Sequence, residues 1–291
     1  MTDDSASVPG KPGSGGPGAT ARTGIDATVP HSARIWNYWL GGKDNYPIDR
    51  EVGNEFLTIF PGQADIARQS RAFLGRVVRY LAAEAGIRQF LDIGTGLPTA
   101  DNTHQVAQRV APESRIVYVD NDPLVLVHAR ALLTSSPEGA CDYIDADLHD
   151  PDKILREAAR TLDFARPVAV MMLGILGHIP DEDDPQEIVA RLVGRLSPGS
   201  YLVINDGTNV LHGRAGGEQA EDSARARAIA RYAEASGVPY YLRTPERIGG
   251  FFAGLELVDP GVVSVSQWRA EPGPFGPPPM VDAFCGVGRK P

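Results

Sequence analysis

The chain has 291 residues, 42% hydrophobic and 22% charged, a globular balance that excludes wholesale disorder. A net charge of −9 lacks the clustered Lys and Arg with which nucleic-acid binders neutralise phosphates. Its 32 glycines and 24 prolines exceed the globular norm, so part of the chain is expected to lie outside regular structure.

That part begins at the N-terminus. Residues 1–24 hold six Gly, three Pro and three Ser, too little apolar area to offset ordering entropy. The reading is a disordered tail over 1–27, an N-terminal helical cap over 28–86 and a core over 87–291, with 28–291 folding as one unit. The leader starts with acids and has no apolar core, unlike a secretory signal. No stretch approaches the ~20 apolar residues of a membrane span, so a cytoplasmic protein with no membrane partner is expected. Cys141 and Cys285 have no metal or redox spacing and read as reduced thiols.

Helical patterns follow at 31–40, 48–59 and 64–85. In the third, Ile66, Phe73, Leu74, Val77, Val78 and Leu81 recur at i, i+3, i+4 spacing. Short apolar runs at 89–93, 115–120, 141–146, 167–173 and 200–206 then alternate with helical patterns at 101–110, 122–133, 151–160 and 184–196. That alternation is the signature of a parallel sheet covered on both faces. A polar helix over 218–235 and a short one after Thr244, Pro245 and Glu246 lead to strands near 255–259 and 283–288. With no helix between these last two, a hairpin can join them and one runs antiparallel. The Pro-rich 271–279 belongs in a surface excursion.

The chemistry concentrates at strand ends. FLDIGTGLPT (90–99) is a buried strand running through Asp92 into a Gly94-Thr95-Gly96 turn and a helix. Glycines there let the backbone approach a ligand, and the helix N-terminus offers free N–H groups. Thr99 stands where the dinucleotide fingerprint has its third glycine, and no P-loop lysine is present, so no pyrophosphate is required. Asp120 ends the second strand, where a carboxylate can accept both hydroxyls of a ribose. Asp147-Leu148 follows the third strand and has two readings: the edge of an adenine, or a helix cap before Pro151.

Together these residues resemble the first three motifs of class I S-adenosylmethionine-dependent methyltransferases. More narrowly, residues 29–51, 92–108, 117–133 and 176–185 are similar to an actinobacterial S-adenosyl methyltransferase family formerly classed as a domain of unknown function. The resemblance implies an α/β, Rossmann-like, seven-stranded sheet with its last strand antiparallel, helices on both faces, and S-adenosylmethionine as cofactor. Carried over, Gly94, Thr95 and Gly96 line the methionine portion beside Asp92. Asp120 holds the ribose, Asn121 and Asp147 with Leu148 bracket the adenine, and Leu173 and Gly174 pass beneath the sulfonium.

His178, on the exit of the fourth strand, is the nearest ionisable side chain to the transferring methyl. It is a general-base candidate, the alternative being a histidine that packs against or caps the Pro180–Asp184 turn. The 29–51 block reads either as a helix covering the sheet or as a lid over the cofactor. Arg34, Tyr38, Gly41, Gly42 and Asn45 are its binding candidates. The Asp181–Asp184 run reads as a solvated helix start, with no metal expected. His104 and His128 read as surface or packing residues, and His31 and His212 have no evident partner. The expected reaction is methyl transfer to a small-molecule acceptor; the alternatives are a non-catalytic cofactor sensor and an NAD-type oxidoreductase. Oligomeric state is not legible.

Overall fold

The computed structural model describes residues 26–98, 101–132, 134–211, 223–274 and 276–291. Most of the leader, Thr99, His212 and the start of the long polar helix lie outside these residues.

Three helices come first: α1 (Ser32–Trp39), α2 (Pro47–Ile59) and α3 (Gln63–Ala83). The His31 ring accepts from Ala33 N at the start of α1, and Asp49 accepts from Tyr46 N (2.8 Å) at the start of α2. The α3 stripe read from the sequence is buried throughout. Then follow β1 (Gln89–Ile93), α4 (Thr103–Val110), β2 (Arg115–Asp120), α5 (Pro123–Leu132), β3 (Ala140–Asp145), α6 (Pro151–Ala158), β4 (Ala169–Leu173), α7 (Pro185–Gly194) and β5 (Tyr201–Gly207). The chain ends with α8 (Ala224–Ser236), α9 (Pro245–Gly250), β6 (Glu256–Leu257), β7 (Val263–Ser264) and β8 (Ala283–Arg289).

The sheet order is β3-β2-β1-β4-β5-β8-β6, with β7 also on β8. β1 to β5 are parallel, and β8 runs antiparallel along all of β5. Eight strands replace the seven expected. The reason lies on the outer edge of β8: β6 covers only Gly288 and Arg289, leaving backbone that β7 pairs at Phe284 and Cys285. The link from β6 to β8 is therefore no tight hairpin but an excursion through β7 and the largely exposed 271–279 loop.

Two apolar layers flank the sheet. One joins α1, α2, α3 and α8 to it around Phe73, Phe90 and Trp268; the other lies under α6, α7 and α9. Because β1 sits beside β4, the chain turns one way through β2 and β3 and the other way through β5. The crevice at such a switch point is where open α/β sheets bind ligands. No helix among the described residues is long and apolar enough to cross a membrane.

Candidate active site

At the end of β1, Gly94 adopts φ +74° and donates its N–H to Val119 O (2.8 Å). A Cβ there would lie 2.7 Å from the Ile175 side chain, so only glycine fits. The turn brings Gly96 N to Asp120 Oδ2 (2.9 Å), while Asp122 N reaches Asp120 Oδ1 (3.0 Å). Burial raises the Asp120 pKa.

Beside it, Asn121 Nδ2 donates to Asp147 Oδ2 (2.9 Å), and Asp147 Oδ1 accepts from His149 N (2.9 Å). Asp147 does not cap α6. Asp150 does, accepting from Lys153 N at 2.9 Å, which removes the capping alternative. Leu148 is buried next to them.

A cavity of about 500 Å³ opens over these strand ends. Its wall contains Asp92, Gly94, Thr95, Gly96, Asp120, Asn121, Asp147, Leu148, Leu173, Gly174 and His178, so every cofactor and base candidate from the core meets there. Asp92 is buried, accepts the Thr103 hydroxyl (2.6 Å), and is pushed up to about 6 by its burial. Arg71 of α3 shares the wall, and burial lowers its pKa against the opposing pull of the Asp92 charge.

His178 sits in a single 3-10 turn, Leu176–His178, after β4. Its Nδ1 is 2.9 Å from Pro239 O, and the Tyr240 ring meets it edge-on at 5.0 Å. It does not cap the Pro180–Asp184 turn; Asp184 itself caps α7, accepting from Glu187 N. A carbonyl can only accept, so the His178 proton lies on Nδ1 and Nε2 keeps its lone pair. Burial lowers the His178 pKa, favouring the neutral ring.

The lid candidates fare differently, for none of the five lines the cavity. Arg34 Nε lies 2.8 Å from buried Asp49, and Tyr38 donates to Asn54 (2.6 Å). Gly42 is pressed against Asn37, where a Cβ would come within 2.4 Å, and Gly41 forms the turn before it at φ +78°. Asn45 donates to Asn37 Oδ1 (3.1 Å) and Gly42 O (2.9 Å). The loop thus props Asn37, and the residues of this block that reach the cavity are His31, Ser32, Ala33, Trp36, Asn37, Trp39 and Leu40.

Several wall residues carried no sequence signal. His31 Nε2 meets Asp122 at 2.7 Å, tying the cap to the end of β2. Asp206, at the end of β5, accepts the Tyr240 hydroxyl and Gly207 N, and burial pushes it up to about 6. His104 is buried against the Tyr118 hydroxyl (2.9 Å), and His128 meets Leu124 O of its own helix.

Comparison with known proteins shows the family of the chain. The family model of S-adenosyl methyltransferases matches residues 18–291. The chain belongs to the S-adenosyl methyltransferase family. It is 43% identical to a DUF574 family protein from Streptomyces avermitilis, over 91% of this chain and 99% of that one, with a TM-score of 0.83. A Thermobifida fusca protein assigned to the methyltransferases is 38% identical over 94% and 99%, TM-score 0.80. The plantazolicin methyltransferase BpumL, solved with S-adenosylhomocysteine, shares the fold at 11% identity and TM-score 0.50, over 89% of this chain and 96% of that one. No curated protein matches the sequence. This S-adenosyl methyltransferase is an S-adenosylmethionine-dependent enzyme with a Rossmann-like core.

Proposed function

We propose that this methyltransferase seats S-adenosylmethionine across the ends of β1 to β4 and passes the methyl group to a small-molecule acceptor by direct displacement. The observation that carries the reading is convergence: residues from four strand ends share one cavity, and their chemistry matches the cofactor part by part. Asp120 offers carboxylate oxygens to the ribose diol. Asn121, Asp147 and Leu148 suit the polar edge and flat face of an adenine. Asp92 and Arg71 supply opposite charges for an ammonium and a carboxylate, with the Gly94–Gly96 backbone between them.

The bound cofactor supplies an electrophilic methyl on a sulfonium, so the residues mainly align and exclude water. Leu173 and Gly174 form the floor below the reacting centre. Helices α1, α3 and α8 roof it, which gives the lid role to the Trp36–Trp39 side of the 29–51 block. His178 Nε2, with its lone pair free of the Pro239 contact, would take the proton from an acceptor that must lose one.

Residues 28–86 act as a cap on the 87–291 core, and 28–291 fold as one unit; the shared apolar layer of α1, α2, α3 and sheet supports this. The acidic charge speaks against a nucleic-acid acceptor, and the unpaired Cys141 and Cys285 suit a cytoplasmic setting. Incubating the enzyme with methyl-radiolabelled cofactor and a metabolite extract tests the acceptor class. Enzyme-dependent label is expected in the low-mass fraction. Label confined to protein or nucleic acid would overturn the small-molecule reading.

A further inference from the structure

Beyond the proposed cofactor seat, the same cavity continues under α1, α2 and α8, and its wall there changes character. Trp39 lies 5.0 Å from Phe56 and 6.2 Å from Tyr232, forming one continuous aromatic surface. Trp36 meets Trp39 edge-on at 5.9 Å and keeps 36% of its surface exposed. All four rings line the cavity. On α8, Arg225, Ile229 and Tyr232 line it too, at the i, i+4, i+7 spacing of one helical face.

Arg225 is the unusual member. It is 3% exposed, and its Nη1 donates only to the backbone carbonyls of Thr208 and Asp282. Its Nε has no hydrogen-bond partner, and it forms no ion pair among the described residues. The carboxyl group next to it in the wall, Asp206, is already engaged by Tyr240, Gly207 N and Arg243 (3.5 Å). The strand end leaves room for the guanidinium because residue 207 is glycine: a Cβ there would sit 2.9 Å from Arg225 Nη2. The direct contacts of Arg225 are thus two neutral carbonyls and the face of the Phe60 ring (5.6 Å), with Asp282 and Asp206 attracting it from beyond ion-pair distance. A buried cation with no carboxylate in contact is costly, and an anionic ligand group would neutralise it through charge-assisted hydrogen bonds.

We propose that the methyl acceptor is a planar, mostly apolar molecule bearing one carboxylate, its body against the Trp36, Trp39, Phe56 and Tyr232 rings and its carboxylate on Arg225. This rests on the cofactor occupying the same cavity over the ends of β1 to β4. Aromatic faces favour a flat body, and a single cationic group sets the charge.

The test uses the full chain saturated with S-adenosylhomocysteine, titrated with 2-naphthoate and with its neutral isostere 2-naphthamide. Naphthoate is expected to bind about tenfold more tightly or better, the scale of one charge-assisted contact. In Arg225→Gln the two probes are expected to bind alike while S-adenosylhomocysteine affinity holds. Trp36→Ala, at an exposed ring, is expected to weaken both probes equally and keeps the test decisive if Arg225→Gln does not fold. Equal binding of the two probes by the wild type overturns the proposal. So does a preference that survives Arg225→Gln, a loss of S-adenosylhomocysteine affinity in that variant, or indifference to Trp36→Ala. Failure of the wild type to bind S-adenosylhomocysteine would instead refute the cofactor seat beneath it.

Discussion

Asp120→Ala probes the ribose site with the clearest arithmetic. A carboxylate accepting hydroxyl donors is worth about 1.5–3 kcal/mol, so the loss corresponds to roughly 10- to 150-fold in Kd. Two effects on folding oppose each other. The substitution strands Gly96 N–H and Asp122 N–H, which Asp120 now accepts at 2.9 and 3.0 Å. It also removes a carboxylate whose charged form burial already disfavours. Both amides border the open cavity, where water can replace the lost oxygen, so the net stability change stays within about 1–2 kcal/mol. Calorimetric titration with S-adenosylhomocysteine, beside a urea melt of the ligand-free variant, separates binding from folding. A folded Asp120→Ala variant with wild-type affinity would refute the reasoning and move the ribose elsewhere.

The Asp92 carboxyl, pushed up to about 6, gives a pH signature. Its ionised form attracts an ammonium, so S-adenosylhomocysteine affinity should fall about tenfold between pH 7.5 and 5; a flat profile would place the amino-acid end away from Asp92. Its folded pKa lies above the unfolded value of 3.8, so ionisation destabilises the fold above pH 6 and the penalty fades toward pH 4. Asp92→Asn should therefore stabilise the ligand-free protein by about 1–3 kcal/mol at pH 7.5 while weakening cofactor binding; a destabilised variant counts against this. For His178, nitrogen-detected NMR at pH 7 should show a neutral ring protonated on Nδ1, and an Nε2–H tautomer would exclude it as the base. Gly94→Ala should cost about 1–2 kcal/mol from the left-handed backbone alone, plus the Ile175 contact. Adding Ile175→Ala should recover only the contact part in urea melts, and a single variant as stable as wild type would contradict both.

The sheet and its glycine turn were legible because they depend on local pattern. Five apolar runs between helical stretches specify parallel strands, and the strand ends carry Asp92, Asp120 and Asp147 into the crevice without further information. The roof was not legible, since which cap residues reach the cavity depends on how helices lie on the sheet. Asn45 and Asn37 are equally polar in sequence, yet packing sends Asn37 to the wall and uses Asn45 to hold it. The His31–Asp122 pair and the Asp206–Tyr240 contact join distant segments, and no spacing rule announces them. Arg225 reads as one arginine among several on a polar helix until burial sets it apart. Likewise β7 exists because β6 is too short to cover β8, a fact of pairing rather than of composition.

The central claim is that the crevice over the ends of β1 to β4 holds S-adenosylmethionine. Titrating the purified full chain with S-adenosylhomocysteine and, separately, with NAD tests it most directly. Saturable one-to-one binding of S-adenosylhomocysteine, with a rise in melting temperature and no response to NAD, is the predicted result. Stabilisation by NAD alone would contradict the account.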